Sequence, residues 1–412
     1  MSKGIPQITP LLKNRSFIAF VINRTFNAMG THAFTVAIGW HVYNLTGDPL
    51  DLGLIGLAQF APVFALFLIA GIAADRIDRR LILIVCNGVH FVSVGAIMAV
   101  LRLDMSSMAV ILAILAVHGA ARAFYHPASQ AILPSLVGQD QFPKAIAFSS
   151  SANKAAQLAG PAIGGALIAW VGDGVYLAII GSFAVSGIAG GLIAGTRHIH
   201  KKEPLNLNSI LGGFVYVWRN KIVLGAVSID LLAVLFGGVM AVLPIYASDI
   251  LHVGPAGLGI MRSMPAIGSL IVGLALTQIA LPRHMGPALF VSLALFGASV
   301  VAFGLSETFW ISLVALAIYG GADMISVYVR QTLVQIATPD GMRGRVSAVN
   351  SVSINASNEL GDFRAGAMAA VIGTVPAVVF GGIATLAITV VWCLIFPGIR
   401  SVDRLNDVST QK

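Results

Sequence analysis

Charge is the scarcest property of this sequence. Asp, Glu, Lys and Arg make up 10% of its 412 residues, while hydrophobic residues make up 57%. A soluble domain carries about 25% charged residues. So little charge cannot cover a water-facing surface of this size, which excludes a soluble enzyme, a nucleic-acid-binding module and a disordered chain. Cysteine is nearly missing too. Cys86 and Cys393 both lie in apolar runs, which excludes a disulfide framework and a cysteine metal cluster. No G-x-x-x-x-G-K-[ST] loop is present, so ATP is not the direct energy source. No H-E-x-x-H helix and no extramembrane Ser/His/Asp set is present either. The expectation is a protein that is not an enzyme and uses no cofactor and no metal.

What the chain does have is long apolar runs and 44 glycines. A membrane helix needs about 20 mostly apolar residues, and glycine lets such helices approach closely. The runs predict an all-α membrane protein with twelve transmembrane helices. They lie at about 16–43, 51–74, 81–101, 108–133, 143–169, 174–195, 222–247, 255–280, 286–305, 309–335, 345–371 and 374–397. The runs are continuous rather than alternating, which excludes a barrel. The first is too long for a cleavable signal and no A-x-A site follows it.

The net charge of +8 would suggest nucleic acid in a soluble protein; here it follows the positive-inside pattern. With the N-terminus inside, the inner loops hold Lys3, Lys13, Arg15, Arg76, Arg79, Arg80, Lys144, Arg197, Lys201, Lys202, Arg219, Lys221, Arg283, Arg343, Arg345, Arg400, Arg404 and Lys412. The outer loops hold Arg102 alone. Both termini are therefore expected in the cytoplasm.

The longest connection, 196–221, divides the chain into an N-terminal half, 1–195, and a C-terminal half, 222–412. Leu205 to Trp218 within it has the pattern of an amphipathic helix lying on the membrane surface. His198 and His200 in the same connection read as part of a polar loop. The halves are related: residues 118–168 shifted by 201 fall on 319–369 without a gap. Gly119 meets Gly320, Gln130 meets Gln331, Ser150 meets Ser351, Gly160 meets Gly361 and Gly165 meets Gly366. Two pseudo-symmetric six-helix halves with a site near the midplane are an architecture of secondary transporters.

Two motifs carry a resemblance. The loop after the second span reads Gly71-Ile-Ala-Ala-Asp75-Arg76-Ile-Asp78-Arg79-Arg80, and the fifth span reads Gly160-Pro161-Ala162-Ile163-Gly164-Gly165. They resemble G-x-x-x-D-R-x-G-R-[KR] and G-P-x-x-G-G of the major facilitator superfamily, with Asp78 in place of the second glycine of the loop. Pro127-Ala128-x-x-Ala131-x-Leu133-Pro134 and Gln335-x-x-Thr338-Pro339-Asp340 look like the branch of enterobactin exporters and macrolide-efflux-type proteins. The resemblance implies a proton-coupled exporter of a small amphipathic molecule such as a siderophore. A multidrug pump, an importer of the same fold and a non-transporting receptor stand as alternatives. It implies a gating role for Gly71, Asp75, Arg76 and Arg79, with Arg80 in the same loop. Asp75 is expected to face a helix N-terminus and the loop's own arginines. For Gly160, Pro161, Gly164 and Gly165 the residues leave two readings open: a bent contact between halves, or close packing inside one half.

Ionisable residues inside hydrocarbon cost several kcal/mol and mark functional interiors by default. Asp323, Glu359 and Asp362, with Asp230, are the candidates for proton coupling. Arg24, His118, Arg122, Tyr125, His126 and Lys154 are the candidates for the substrate cavity; His118, Arg122 and His126 share one helix face. Arg24 and Asp230 are expected to pair as an inner gate. Arg262 and Arg330, near span ends, read as structural. The expected partners are a small-molecule substrate, protons and membrane lipid, with the chain a monomer and no nucleic acid bound.

Overall fold

The computed structural model describes residues 9–103, 107–194, 207–278 and 285–400, all helical or joining helices, with no strand among them. His198 and His200 lie outside the described residues. The long helices are α1 (Arg15–Thr46), α2 (Pro49–Arg76), α3 (Arg79–Arg102), α4 (Met108–Leu136), α5 (Phe142–Val171), α6 (Val175–Gly191), α7 (Leu207–Arg219), α8 (Lys221–Gly237), α9 (Gly254–Gln278), α10 (Met285–Gly304), α11 (Phe309–Ala337), α12 (Arg343–Ile372) and α13 (Thr374–Ile395). Each expected span thus has a helix. Nine helical stretches among the described residues are long and apolar enough to cross a membrane, and one of them, Gln139–Gly191, contains both α5 and α6. The helices α1 and α12 are not among the nine: α1 is diluted by Asn27, His32, His41 and its threonines, and α12 carries Arg343, Arg345, Glu359, Asp362 and Arg364. The chain is an integral multi-pass membrane protein.

The seventh expected span, 222–247, is not one helix. It ends as α-helix at Gly237 and resumes as a 3-10 turn Met240–Val242, a short turn Leu243–Ile245 and a π-turn Tyr246–Ile250. The helix α7 falls within the stretch 196–221.

By packing, the chain divides into two compact units. Among the described residues, one holds those up to Ile38 and from Ala58 to 194; the other holds Gly39–Leu57 and those from 207 onward. The expected halves were cut at 195 and 222, whereas Gly39–Leu57 packs with the second unit. The first unit is built around Phe17, Phe20, Leu83, Ile132 and Ile193, and the second around Val223, Ile229, Leu289, Leu333, Val346 and Ile399. Large apolar side chains also face outward, among them Phe64, Trp170, Ile188, Trp310, Val371 and Leu394. An apolar exterior over an interior that buries Asn23, His90, His118, Asp230 and Arg330 is the pattern lipid selects.

Glycine sets the helix crossings. A Cβ on Gly160 would lie 2.9 Å from His32 Cβ, and one on Gly164 2.9 Å from Ala33 Cα. The G-P-x-x-G-G segment therefore brings α5 against α1 inside the first unit. At the repeat position in the second unit, a Cβ on Gly361 would lie 2.8 Å from the Val234 carbonyl oxygen of α8.

Candidate functional site

The break after α8 is held open by charges from α12 and α9. A helix ending inside hydrocarbon leaves carbonyls without partners. Arg364 supplies them: Nε donates to the Leu235 carbonyl at 2.9 Å, and Nη2 to those of Phe236 at 2.6 Å and Gly238 at 3.3 Å. A guanidinium also suits the negative end of a helix dipole. Its carbon lies 5.8 Å over the Phe236 ring. On the far side of the break, Asp362 Oδ1 accepts the Ala241 amide at 3.3 Å and Arg262 Nη2 donates to the Met240 carbonyl at 3.0 Å. Arg262, read from the sequence as structural, stands at the break, an electrostatic neighbour of Asp362 and Glu359. Glu359 Oε2 lies 3.5 Å from where a Cβ on Gly56 would sit. Tyr319, stacked on Phe296 with centroids 4.4 Å apart, is the neighbour of Asp323 and Asp362.

Asp230 is elsewhere. Its Oδ2 lies 3.1 Å from Arg330 Nη1, and both side chains are nearly inaccessible. Arg330 also donates to Asn350 Oδ1 at 3.0 Å. The expected pair of Arg24 with Asp230 is corrected: Asp230 belongs to Arg330, and Arg24 Nη1 donates to Ser149 Oγ at 3.1 Å. The reason is location. Arg330 shares Asp230's unit and is presented from α11 beside α8, while Arg24 has a hydroxyl acceptor on α5.

In the first unit the expected stripe on α4 divides. His118 turns inward, Nδ1 to Nδ1 with His90 at 3.1 Å, and the pair stacks among Phe34 and Phe183. Both Nε2 atoms are buried without a hydrogen-bond partner. Tyr125 also turns inward and donates to Asn23 Oδ1 at 2.8 Å. Neither side chain is offered to a cavity surface, a correction whose cause is that hydroxyl and imidazole groups in hydrocarbon take the nearest internal partner. Arg122 is half-buried, and His126, beside Gln130, is exposed. Lys154 is exposed and donates to Gln157 at 3.2 Å.

At the loop after α2, Asp75 and Arg76 are exposed while Gly71 has open space around it. The fixed contacts belong to the two arginines that follow. Arg79 donates to the carbonyls of Ala74 at 3.2 Å and Ala131 at 2.9 Å, and Arg80 donates to the carbonyl of Gly191. Asp78, standing where the motif has glycine, caps α3 by accepting the Arg80 amide at 2.9 Å. Pro161 and Gly165 are buried in α5.

His90, Asn87, Asn27 and Tyr319 did not stand out in the sequence. Asn87 and His90, three apart on α3, were the available signal: two polar residues one turn apart inside an apolar run.

A membrane interior lined in this way defines a class of protein: a secondary transporter of the major facilitator type. The chain belongs to the family described as transmembrane secretion effector, whose profile matches residues 6–412. The multidrug efflux pump Tap of Mycolicibacterium fortuitum is 28% identical over 356 residues, 81% of this chain and 84% of that protein. The enterobactin exporter EntS of Escherichia coli O1:K1 / APEC is 24% identical over 396 residues, 95% of this chain and 94% of that one. Among solved structures, a bacterial homologue of the human lysosomal transporter Spinster, inward-facing and unoccupied, matches with TM-score 0.72 at 15% identity, covering 94% of this chain and 96% of that one. The nucleoside transporter NupG matches with TM-score 0.73 at 10% identity, covering 92% and 100%. The protein is a transporter of a small molecule, not an enzyme.

Proposed function

We propose that this transporter is a proton-coupled exporter of a small amphipathic molecule, and that the substrate is an anionic aromatic metabolite of the siderophore class. It would work as a monomer of twelve spans in two six-helix halves, in a bacterial inner membrane with both termini cytoplasmic. The single observation that carries the reading is the carboxylate group at the break of α8, where Asp362 and Glu359 stand beside Arg262 on membrane-embedded helices. A carboxylate that holds a half-helix by accepting its amide holds it less strongly once protonated, because the bond loses its charge assistance, so proton uptake and helix geometry are linked. Asp230, held by Arg330, is left a structural role, and coupling falls to Asp323, Glu359 and Asp362. The names of two relatives, an exporter and an efflux pump, favour outward transport. The cationic groups Arg24, Arg122 and Lys154 favour an anionic substrate, because a cation in a low-dielectric site attracts anions far more strongly than in water.

The test uses inverted vesicles. Asp323→Asn, Glu359→Gln and Asp362→Asn are compared for uphill, proton-driven uptake and for downhill exchange. The expected result is loss of uphill transport in at least one variant with exchange retained; normal accumulation by all three would move coupling elsewhere. Counterflow in the same vesicles tests direction, and import would overturn it. Asp75→Asn is expected to express normally and transport poorly if the loop gates; unchanged export would reject that role.

A second reading, multidrug efflux, is favoured by the identity to Tap. A deletion strain separates the two. Retained siderophore with unchanged cationic-dye efflux supports the first reading, and lost dye efflux with normal siderophore secretion supports the second.

A further inference from the structure

At one end of the second unit lies a cavity of about 560 Å³, within the ~300–1,000 Å³ typical of small-ligand sites. Its wall is made where three membrane-crossing stretches end: Lys221 begins one, Ala337 ends the second and Ile395 ends the third. The ends of such stretches lie at the level of lipid headgroups. Two cations, Arg219 and Lys221, line the cavity together with the apolar Ile222, Phe396 and Ile399, and no carboxylate lines it among the described residues. The amides at the start of α8 are not what a ligand would meet. Asn220 Oδ1 already accepts those of Ile222 at 3.1 Å and Val223 at 3.2 Å. What the cavity offers an anion is the two side chains.

The neighbouring surface points to the source of that anion. Arg219 also borders a second groove, formed by Phe214, Val215 and Trp218 of α7. Phe214 and Trp218, one turn apart, stack with centroids 6.2 Å apart and are exposed, Trp218 to 65%. The opposite side of α7 is fixed. Val217 is buried in the core of the second unit, and the Tyr216 hydroxyl donates to the Ala337 carbonyl at 2.6 Å. A surface helix pinned on one side, with an aromatic pair on the other and cations at its end, matches a segment lying in the lipid interface. A free phosphate would use the cations and leave the apolar wall and the aromatic groove in water. An anionic phospholipid uses all of them.

We propose that the cavity between the end of α7 and the end of α13 binds the headgroup of an anionic phospholipid, with Arg219 and Lys221 on its phosphate and an acyl chain against Ile222 and Phe396. The inference rests on the membrane-spanning fold and not on the substrate or direction of transport. Basic pockets at membrane-helix ends recognise anionic headgroups through about one Debye length of attraction, and each cation contributes about fivefold in affinity.

The test is native mass spectrometry of the full chain purified in detergent, with phosphatidylglycerol, phosphatidylcholine or inorganic phosphate added in turn. Wild type is expected to retain phosphatidylglycerol in preference to phosphatidylcholine. The double variant Arg219→Gln, Lys221→Gln is expected to retain it about 25-fold less well, and Arg219→Lys, Lys221→Arg to keep it. Gly398→Trp gives a second variant with all charges intact. Gly398 lines the cavity and a Cβ there meets nothing within 4 Å, so the ring fills the space without a backbone clash. It too is expected to lose the lipid. Equal retention of the two lipids would overturn the proposal. So would phosphatidylglycerol kept by both the Gln and Trp variants, or its displacement by inorganic phosphate at equal concentration.

Discussion

The two units make the same close helix contacts and fill their interiors differently. In the first, Gly119 admits the backbone of Gln59, and Gly160 that of Met29. In the second, the repeat partners Gly320 and Gly361 admit the backbones of Pro265 and Val234. Around these crossings the first unit buries mostly neutral polar groups. Asn27 donates to Asn87, Tyr125 to Asn23, and His90 pairs with His118. The second unit carries ions: Asp230 with Arg330, and Arg262, Glu359, Asp362 and Arg364 about a broken helix. Small residues at a crossing are cheap in a membrane and ions are not. The shared glycines are thus a framework, while the unshared charges need a reason of their own. Three positions of α12 make the point: Glu359, Asp362 and Arg364 stand where α5 has Leu158, Pro161 and Ile163.

The sharpest way to break the comparison is to remove half of the buried ion pair. Arg330→Met leaves the Asp230 carboxylate uncompensated and is expected to cost about 3–5 kcal/mol, read as the unfolding free energy in detergent. The double variant Asp230→Leu, Arg330→Met is expected to recover most of that loss, because two apolar side chains leave no buried charge. In the first unit Ser149 occupies the repeat position of Asn350, the third member of the triad. Ser149→Ala removes one hydrogen bond from Arg24 and is expected to cost about 1 kcal/mol. Equal losses from Arg330→Met and Ser149→Ala would show that the charges of the second unit are no more costly than the hydroxyls of the first.

Arg364 gives the next effect. Arg364→Met strands the carbonyls of Leu235, Phe236 and Gly238, and about 2–3 kcal/mol is expected. Lysine is expected to restore only part of it, since one ammonium cannot reproduce the planar fork that meets three carbonyls. Its counterpart Ile163 faces outward, 42% exposed, and Ile163→Ala is expected to change stability by less than about 0.5 kcal/mol. The shared glycines should instead behave alike. Gly119→Ala and Gly320→Ala each place a methyl group against a neighbouring backbone, and each is expected to cost about 1–3 kcal/mol. A tolerant Gly320 beside an intolerant Gly119 would mean that the sequence repeat does not extend to packing.

Much of this framework was legible in the sequence because it is written in local terms. Apolar runs mark helices, and the register shift of 201 carried Gly119 onto Gly320 and Gly160 onto Gly361. What could not be read was which charges meet. Asp230 and Arg330 are far apart along the chain, and composition favours no one partner over another. The inward turn of His118 depends on His90, contributed by a different helix. The break after Gly237 was hidden by its surroundings, since Leu231 to Tyr246 is apolar throughout and hydropathy sees one run. The pair Gly237-Gly238 was the signal, and it acquires meaning only beside an Arg364 able to hold the freed carbonyls.

The smallest effects concern how helices begin, and here the comparison can be refined rather than broken. Asp78 caps α3 in the first unit through one amide, and Asn220 caps α8 in the second through two. Replacing a cap by alanine costs about 1 kcal/mol, whereas glycine in its place costs a few tenths, since glycine lets water reach the freed amide. Asp78→Ala is therefore expected to lose about 1 kcal/mol and Asp78→Gly, which restores the glycine of the major facilitator motif, only a few tenths. Asn220 has a further tie: its Nδ2 donates to the Tyr216 hydroxyl at 3.3 Å, and that hydroxyl holds Ala337. Asn220→Gly should then cost more than Asp78→Gly, by the few tenths to 1 kcal/mol of a strained neutral hydrogen bond. Unfolding curves of the two glycine variants decide it. If they coincide, Asn220 acts as a cap alone and α7 is held by Tyr216 without its help.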